Sequence, residues 1–437
     1  MERREDIIMS VPLPKRPVRG RSAKQERSAK TRGKIAAAAV EVIADHGIAG
    51  LTHRLVADRA GVSLAATTYY YKGKFDILAE ASNASMQRYS TNFERVLARS
   101  RSGRSEGQTF RGFAIKLLKN VAGIHRSGTI AWAEISLDAV RHPESLVLSR
   151  GWMTYLKALW TDIADAMGVS DAQEAARSGI DTTIGLIFIT LALGLSEHDL
   201  EVVIEGSANP LTAWGDLFDR AGFTSSLGTE ARSKAQDTRK RIVEAAVEVL
   251  VTDGPAAINF RRIARRIGLT AAAPGYHFST VEKLLRLAQA ELFENSKQRY
   301  RNAVSTNGQH ITDLEQLVEL TSVVFQREAT ESGRHNLAAF SIWLEAARRP
   351  ELRPMIWSAV ADQCVAWTRI LSPLSPSITP LHGLLAQAVF AGKLIRLLSS
   401  GAATADLVGV RREFLRDMAA LVDGTFWILP NKNSTHI

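Results

Sequence analysis

Cysteine is nearly absent from this sequence: among 437 residues only Cys364 is one. Neither a disulfide framework nor a thiolate zinc site can be built from it, and a reducing, cytoplasmic setting is expected. Long apolar runs are missing too. The most apolar stretch, Ile184 to Leu195, falls short of the roughly 18 residues that span a bilayer, so a buried helix and no membrane contact are expected. Met1 to Pro14 mixes charges and lacks the apolar run of a signal peptide. The 10 histidines are scattered, with no pair at metal-ligand spacing, no glycine-rich phosphate loop and no nucleophile elbow. An enzyme is therefore not expected, and no catalytic residue, metal or cofactor is assigned.

What the sequence does have is unevenly placed positive charge. Residues 1–34 hold 11 Lys and Arg against 4 Asp and Glu, a surplus of 7 out of the chain's 10. Such an arm either grips nucleic acid, each cation near a phosphate releasing a counterion, or is a solvated, disordered tail.

An internal repeat organises the rest. Thr31 and Arg32 match Thr238 and Arg239, and the same offset of 207 pairs Ala38–Val42 with Ala245–Val249, Gly61 with Gly268 and Tyr69 with Tyr276. Far downstream it still pairs Arg141 with Arg348, Trp160 with Trp367, Gly185 with Gly392 and Gly194 with Gly401. The chain is a duplication of a unit of about 200 residues, near the upper end of ordinary domain sizes, with a connector over 222–237.

Within the first unit Ile35, Ala38, Ala39, Val42 and Ile43 recur at helical spacing, and Gly47 ends that helix. Thr52 is placed to cap a second helix; Gly61, Val62 and Ser63 form a short turn, with Ser63 capping a third. The second unit repeats these devices with Gly254, Asn259, Gly268 and Thr270, and adds Ser279 with Glu282 as a capping box for the next helix. Helix, short glycine turn and helix make a helix-turn-helix, whose second helix fits the major groove.

Gly50-Leu51-Thr52, Val56-Ala57, Ala60-Gly61-Val62-Ser63, Thr68-Tyr69-Tyr70-Tyr71 and Lys74 resemble the DNA-binding domain of the tetracycline-repressor (TetR) family. Ile263-Ala264, Leu269-Thr270, Ala272-Ala273-Pro274 and Tyr276-His277-Phe278 resemble a variant of the same motif. The resemblance implies an all-α fold of two tandem units, each a three-helix DNA-binding domain followed by a helical regulatory and dimerisation domain. The expected boundaries are a disordered arm over 1–30, reading heads at 31–78 and 238–285, regulatory domains at 79–221 and 286–427, and a tail over 428–437.

In the first head a DNA-binding recognition helix starting at Leu64 is expected to present Ala65, Ala66, Thr67 and Thr68 to base edges, where small side chains and methyl groups allow close approach. Ser63 stands at the start of that helix and Arg54 on the preceding one. By resemblance Thr52, Tyr69, Tyr70 and Lys74 hold phosphates, while Tyr71 reads as core. In the second head the matching surface is Asn259, Thr270, Ala271, Ala272, Ala273, Gly275, Tyr276 and His277. Val281 stands where the first head has Lys74. Arg261, Arg262, Arg265 and Arg266, two pairs one turn apart, either replace the lost lysine at phosphates or form a solvated face. Heads this different predict an operator, a double-stranded DNA site, with unequal half-sites.

The regulatory halves carry apolar stripes, Ile180, Ile184, Ile187 and Leu191 in the first and Leu384, Ala388, Ala391, Ile395 and Leu398 in the second, with Gly185 and Gly392 within them. By resemblance these late helices build a four-helix dimer interface, here inside one chain, with further homodimerisation left open; the alternative is burial within each unit's own core. The resemblance also implies a repressor released by a small-molecule effector, for which Trp132, Trp152, Trp343 and Trp357 are either cavity lining or plain core. An effector-independent or architectural DNA-binding protein controlled by a protein partner is the other reading.

Overall fold

The computed structural model describes residues 23–103, 108–218, 234–307, 311–401 and 407–429, and within them every regular element is helical. The first half runs α1 (Ala23–His46), α2 (His53–Ala60), α3 (Leu64–Tyr70), α4 (Lys74–Arg101), α5 (Phe110–Ala122), α6 (Arg126–Asp138), α7 (Pro143–Ala166), α8 (Ala172–Leu193), α9 (Glu197–Leu200) and α10 (Pro210–Ala213). The second runs α11 (Lys234–Asp253), α12 (Phe260–Arg266), α13 (Ala273–His277), α14 (Val281–Asn307), α15 (Leu314–Thr330), α16 (Gly333–Ala346), α17 (Arg353–Leu371), α18 (Pro380–Ser399) and α19 (Val410–Asp423). The offset of 207 maps α1 to α8 onto α11 to α18 in order, so the duplication is a duplication of structure.

Two expected boundaries move. Residues 23–30, assigned to a disordered arm, are the first turns of α1, and α11 starts at Lys234 inside the expected linker. The rest of the arm, 1–22, and most of the connector lie outside the described residues, as does the tail from residue 430.

The halves meet through α8 and α18. Both helices are long and apolar enough to cross a membrane by composition, but they are spent on each other: the apolar window of α8 is wholly buried and that of α18 largely so. A helix buried on all sides has no polar face to display, which is why the second half of α8, from Ile184, reads as a nearly continuous apolar run. At the crossing a Cβ built on Gly185 would fall on the backbone carbonyl of Ala388, and one built on Gly392 would fall on that of Asp181. These contacts exchange under the offset of 207, the reciprocity of an isologous two-fold contact. The late helices do join the halves, but α19 packs mainly against α15 and α18, while α6 and α16 flank the crossing.

Beside the glycines the symmetry fails. Arg177 and Asp181 of α8, Lys393 and Arg396 of α18, and Glu413 and Asp417 of α19 form a cluster of three cations and three carboxylates. Lys393 Nζ lies 2.8 Å from Asp181, both fully buried, and Arg177 spans both oxygens of Asp417 at 2.8 and 2.9 Å. The positions that the offset pairs with Arg177, Asp181, Lys393 and Arg396 are Leu384, Ala388, Leu186 and Ile189. One side of the local axis is ionic and the other apolar.

The cores also differ. The first head encloses its own cluster around Ile35, Val42, Ile43, Leu51, Val56, Tyr71 and Ile77, whereas the second head's Ile242, Val249, Ile263 and Phe278 run into the core that fills both regulatory halves.

Candidate nucleic-acid interface and ligand cavity

Local chemistry fixes each helix-turn-helix. The Thr52 hydroxyl accepts from the Leu55 amide at 3.2 Å, starting α2, and the Ser63 hydroxyl accepts from Ala66 at 3.2 Å, starting α3. Between them Gly61 sits at φ 64°, ψ 39°, a left-handed conformation costly for residues with a Cβ. Asn259 caps α12 through the Arg262 amide at 2.8 Å.

Two expected caps move by a few residues. Thr270 does not cap the recognition helix through its side chain; α13 starts at Ala273 and Thr270 contributes only its carbonyl. Pro274 is the reason: in a helix begun at Ala271 its missing amide would be needed for a bond to Thr270, whereas in the first turn none is required. The fourth helix of that head is capped by the Thr280 hydroxyl, on the Lys283 amide at 3.2 Å, rather than by Ser279, and Glu282 pairs with Arg349 at 2.7 Å.

On the first recognition helix Leu64, Ala65 and Thr68 are exposed, Ala66 and Tyr70 half-buried, and Tyr69 is 80% exposed. Thr67 must be removed from the expected base-facing set. It is fully buried, with its hydroxyl on the Leu64 carbonyl at 2.8 Å, because it sits on the side of α3 that packs on α2. Tyr71 is buried as expected, and loss of solvent pushes its phenol up to about 12. Thr52, Ser63, Arg54 and Lys74 are exposed on the same head. Lys74 stands at the positive end of the α4 dipole; desolvation lowers its pKa, with Asp138 opposing, and a phosphate there would satisfy both helix end and ammonium.

The second head repeats this surface. Tyr276 is 88% exposed, Thr270, Ala271, Ala272 and Gly275 are exposed, and Ala273 and His277 half-buried. The arginine cluster divides. Arg262 is tied to Asp253 at 2.7 Å and Arg266 to Glu248 at 2.8 Å, whereas Arg261 and Arg265 are exposed with no ion pair among the described residues. Arg266 and Glu248 repeat a pair in the first head, where Arg59 meets Glu41 at 3.3 Å, so this arginine braces α1 or α11 in both copies. The matching Arg32 and Arg239 each lie 5.4 Å from a ring centre, but the ring shifts by one position, from Tyr70 in the first head to Phe278, the counterpart of Tyr71, in the second.

Each head is also held by the opposite half. Arg348, just beyond α16, donates to the carbonyls of Ala44 (2.6 Å) and Ile43 (3.0 Å) at the end of α1, and to Glu134 of α6. Its counterpart Arg141 donates to Leu250 at the end of α11 (3.3 Å) and to Ser341 of α16 (3.2 Å). A cation at a helix C-terminus satisfies carbonyls that have no partner within the helix. The sequence had not marked these arginines as functional; their preservation at the repeat offset was the available signal.

Below the second head α14 to α18 enclose a cavity of about 310 Å³. Phe293, Phe340, Trp343, Trp367 and Phe390 form much of its wall, and Gln387, Gln363, Glu328 and Asn336 supply polar groups. In the first half the matching space is about 50 Å³, between Tyr89, Phe93, Trp132, Trp152 and Trp160. Trp132, Trp152 and Trp343 thus line these spaces, whereas Trp357 stacks on Phe218 away from both. The first half also has an outer cleft of about 320 Å³ between α4 and α5, edged by the exposed Arg95, Arg99 and Lys116.

Paired helix-turn-helix heads on helical regulatory halves define the class: a DNA-binding regulator. Comparison with known families places it further. Residues 35–81 match the bacterial regulatory proteins of the tetR family, and residues 107–209 and 312–423 match the tetracyclin repressor-like C-terminal domain, one match in each half. The chain belongs to the TetR family of DNA-binding transcriptional regulators. No curated protein matches it.

Proposed function

We propose that the chain is a repressor that acts as an intramolecular pseudo-dimer, setting two non-identical reading heads on one double-stranded operator and releasing it when a small molecule binds the regulatory part. The observation that carries this reading is the reciprocal contact of Gly185 and Gly392, which joins the halves as two subunits of a homodimer would be joined. The near-total exposure of Tyr69 and Tyr276 at matching positions supports two DNA-facing surfaces. In the first head Lys74, Thr52 and Tyr69 serve phosphates; in the second Arg261 and Arg265 take over where lysine is lost.

Effector control is supported by connectivity. The helix α16 carries Asn336, Ala339, Phe340 and Trp343 of the cavity wall and leads into Arg348, which grips α1 of the other half. A ligand that fits only one spacing of the heads shifts the population toward that spacing. The regulator acts in the cytoplasm, and the two heads read unequal half-sites.

Selection of bound DNA from a random pool, repeated with Tyr69→Ala and with Tyr276→Ala, tests this. Each substitution is expected to erase preference in one half-site and keep it in the other. A perfect palindrome with equal mutational cost in both halves would contradict unequal heads, and loss confined to Tyr69→Ala would show that the second head does not read DNA.

A further inference from the structure

The duplication offers two chances to build a ligand site, and the residues at matching positions took opposite courses. Where the first half has Tyr89, Trp132, Leu156 and Ile180, the second has Ser296, Ala339, Gln363 and Gln387. The first set closes its space with rings and aliphatic chains: the Tyr89 hydroxyl is satisfied by Thr129 at 2.5 Å, and the Tyr89 ring meets Trp152 edge-on at 5.8 Å. The remaining 50 Å³ or so has room for a few waters and no organic molecule. The second set opens the space to about 310 Å³, within the range of small-molecule pockets.

The open cavity also carries an unmet demand. Gln387 is 2% exposed; its amide nitrogen donates to Gln363 at 2.9 Å, and its amide oxygen has no partner among the described residues. An unmade hydrogen bond at a buried acceptor is costly, and a ligand O–H or N–H would supply it once a turn of the Gln387 amide brings that covered oxygen to the cavity. The buried charge is already balanced: Arg299 takes both oxygens of Glu328 at 2.6 and 2.7 Å, and Asn336 adds a third bond at 2.8 Å. Lys297 is paired with Asp362, and Arg301 and Arg369 are exposed at the mouth. Burial lowers the His335 pKa, so that imidazole is neutral near pH 7. Away from the exposed Arg301 and Arg369, an ionised ligand would meet no unpaired counter-charge among the described residues, whereas flat apolar rings would meet five aromatic side chains.

We infer that the chain has one ligand site, not two: the second half's cavity takes a neutral, largely aromatic molecule that presents a hydroxyl or amide donor to Gln387, and the first half's copy is closed. This rests on the reading of the chain as effector-controlled. A single ligand then acts on both heads, on its own through the core that α16 shares with α11, and on the other through Arg348.

The test uses the full chain with 4-hydroxybiphenyl, and with biphenyl as the donor-free control, by calorimetry and tryptophan quenching. One 4-hydroxybiphenyl per chain is expected. Gln387→Ile, which installs the aliphatic character of the matching Ile180, should weaken it at least tenfold and leave biphenyl unchanged; Ala339→Trp should abolish both. Should Ala339→Trp fail to fold, Gln387→Ile carries the test alone. Two molecules per chain, no binding to the unaltered protein, or equal weakening of both probes by Gln387→Ile would overturn the inference. Release of a bound operator fragment is followed in parallel. Binding of one molecule without release would leave the site standing and defeat effector control, whereas release with two bound would do the reverse.

Discussion

Arg348 donates from Nε to the carbonyl oxygen of Ala44 at 2.6 Å, and the two residues belong to opposite halves of the chain. The bond is one prong of a grip that also holds Ile43 and Glu134, with Arg348 itself almost buried. Arg348→Ala would strand the half-buried Glu134 carboxylate and bare two carbonyls, at a cost of about 3–5 kcal/mol, as for other broken buried pairs. Urea unfolding should report that loss. Arg348→Lys should recover only part of it, since one ammonium cannot replace a planar fork serving four acceptors, Glu345 being the fourth at 3.2 Å.

Gly185→Ala and Gly392→Ala should each force α8 and α18 apart, because the added methyl falls on backbone rather than on a side chain able to rotate away. A fall in stability of about 3 kcal/mol or more is expected from either, seen as a lowered unfolding midpoint. Gly275→Ala, where a Cβ meets nothing within 4 Å, should leave stability unchanged or slightly raised, and any effect it has on operator binding would then belong to the DNA surface.

Burial alone would raise the Asp181 pKa, but Arg396, Lys393 and Arg177 overcome it and hold the carboxyl below the usual range. A carboxylate depressed in the fold contributes stability above its unfolded pKa of about 4, and loses it as pH falls through the folded value. Asp181→Asn should therefore lower stability by a constant amount between pH 7 and about 5, with the gap to the unaltered protein narrowing below about pH 4. A gap that widened with acid would contradict the direction of the shift.

Cys364 is 1% exposed, and burial pushes its thiol up to about 12. Thiolate is the reactive form, so the folded protein should resist Ellman's reagent at pH 8. Labelling in denaturant should follow the unfolding transition, because this is the chain's one thiol. Fast labelling of the native protein would show that α17 and α18 separate readily.

Much of this architecture is legible in the residues. The offset of 207 predicts α1 to α8 recurring as α11 to α18, and Thr52, Ser63 and Asn259 cap the helices assigned to them. Local rules misplace what depends on neighbours. Pro274 delays α13 beyond the reach of the Thr270 side chain, and Thr67 looks like its exposed neighbour Thr68 until α2 covers it. The clamp on α1 crosses between halves, so no local pattern around Arg348 describes it. The cavity is a property of volume, and appears only when Trp132 is compared with Ala339 and Tyr89 with Ser296.

The ionic cluster beside the glycine crossing decides which surfaces tolerate each other. Two first halves set face to face would turn Arg177 and Asp181 toward Leu186 and Ile189 of another copy; two second halves would turn Lys393 and Arg396 toward Leu384 and Ala388. Both arrangements set these charges against apolar side chains across the contact and lose the bonds between halves, Arg177 to Asp417 and Lys393 and Arg396 to Asp181, that the native pairing makes. Each half therefore finds on the other the ionic partners that a second copy of itself would lack, so the covalent pairing is also the better matched one.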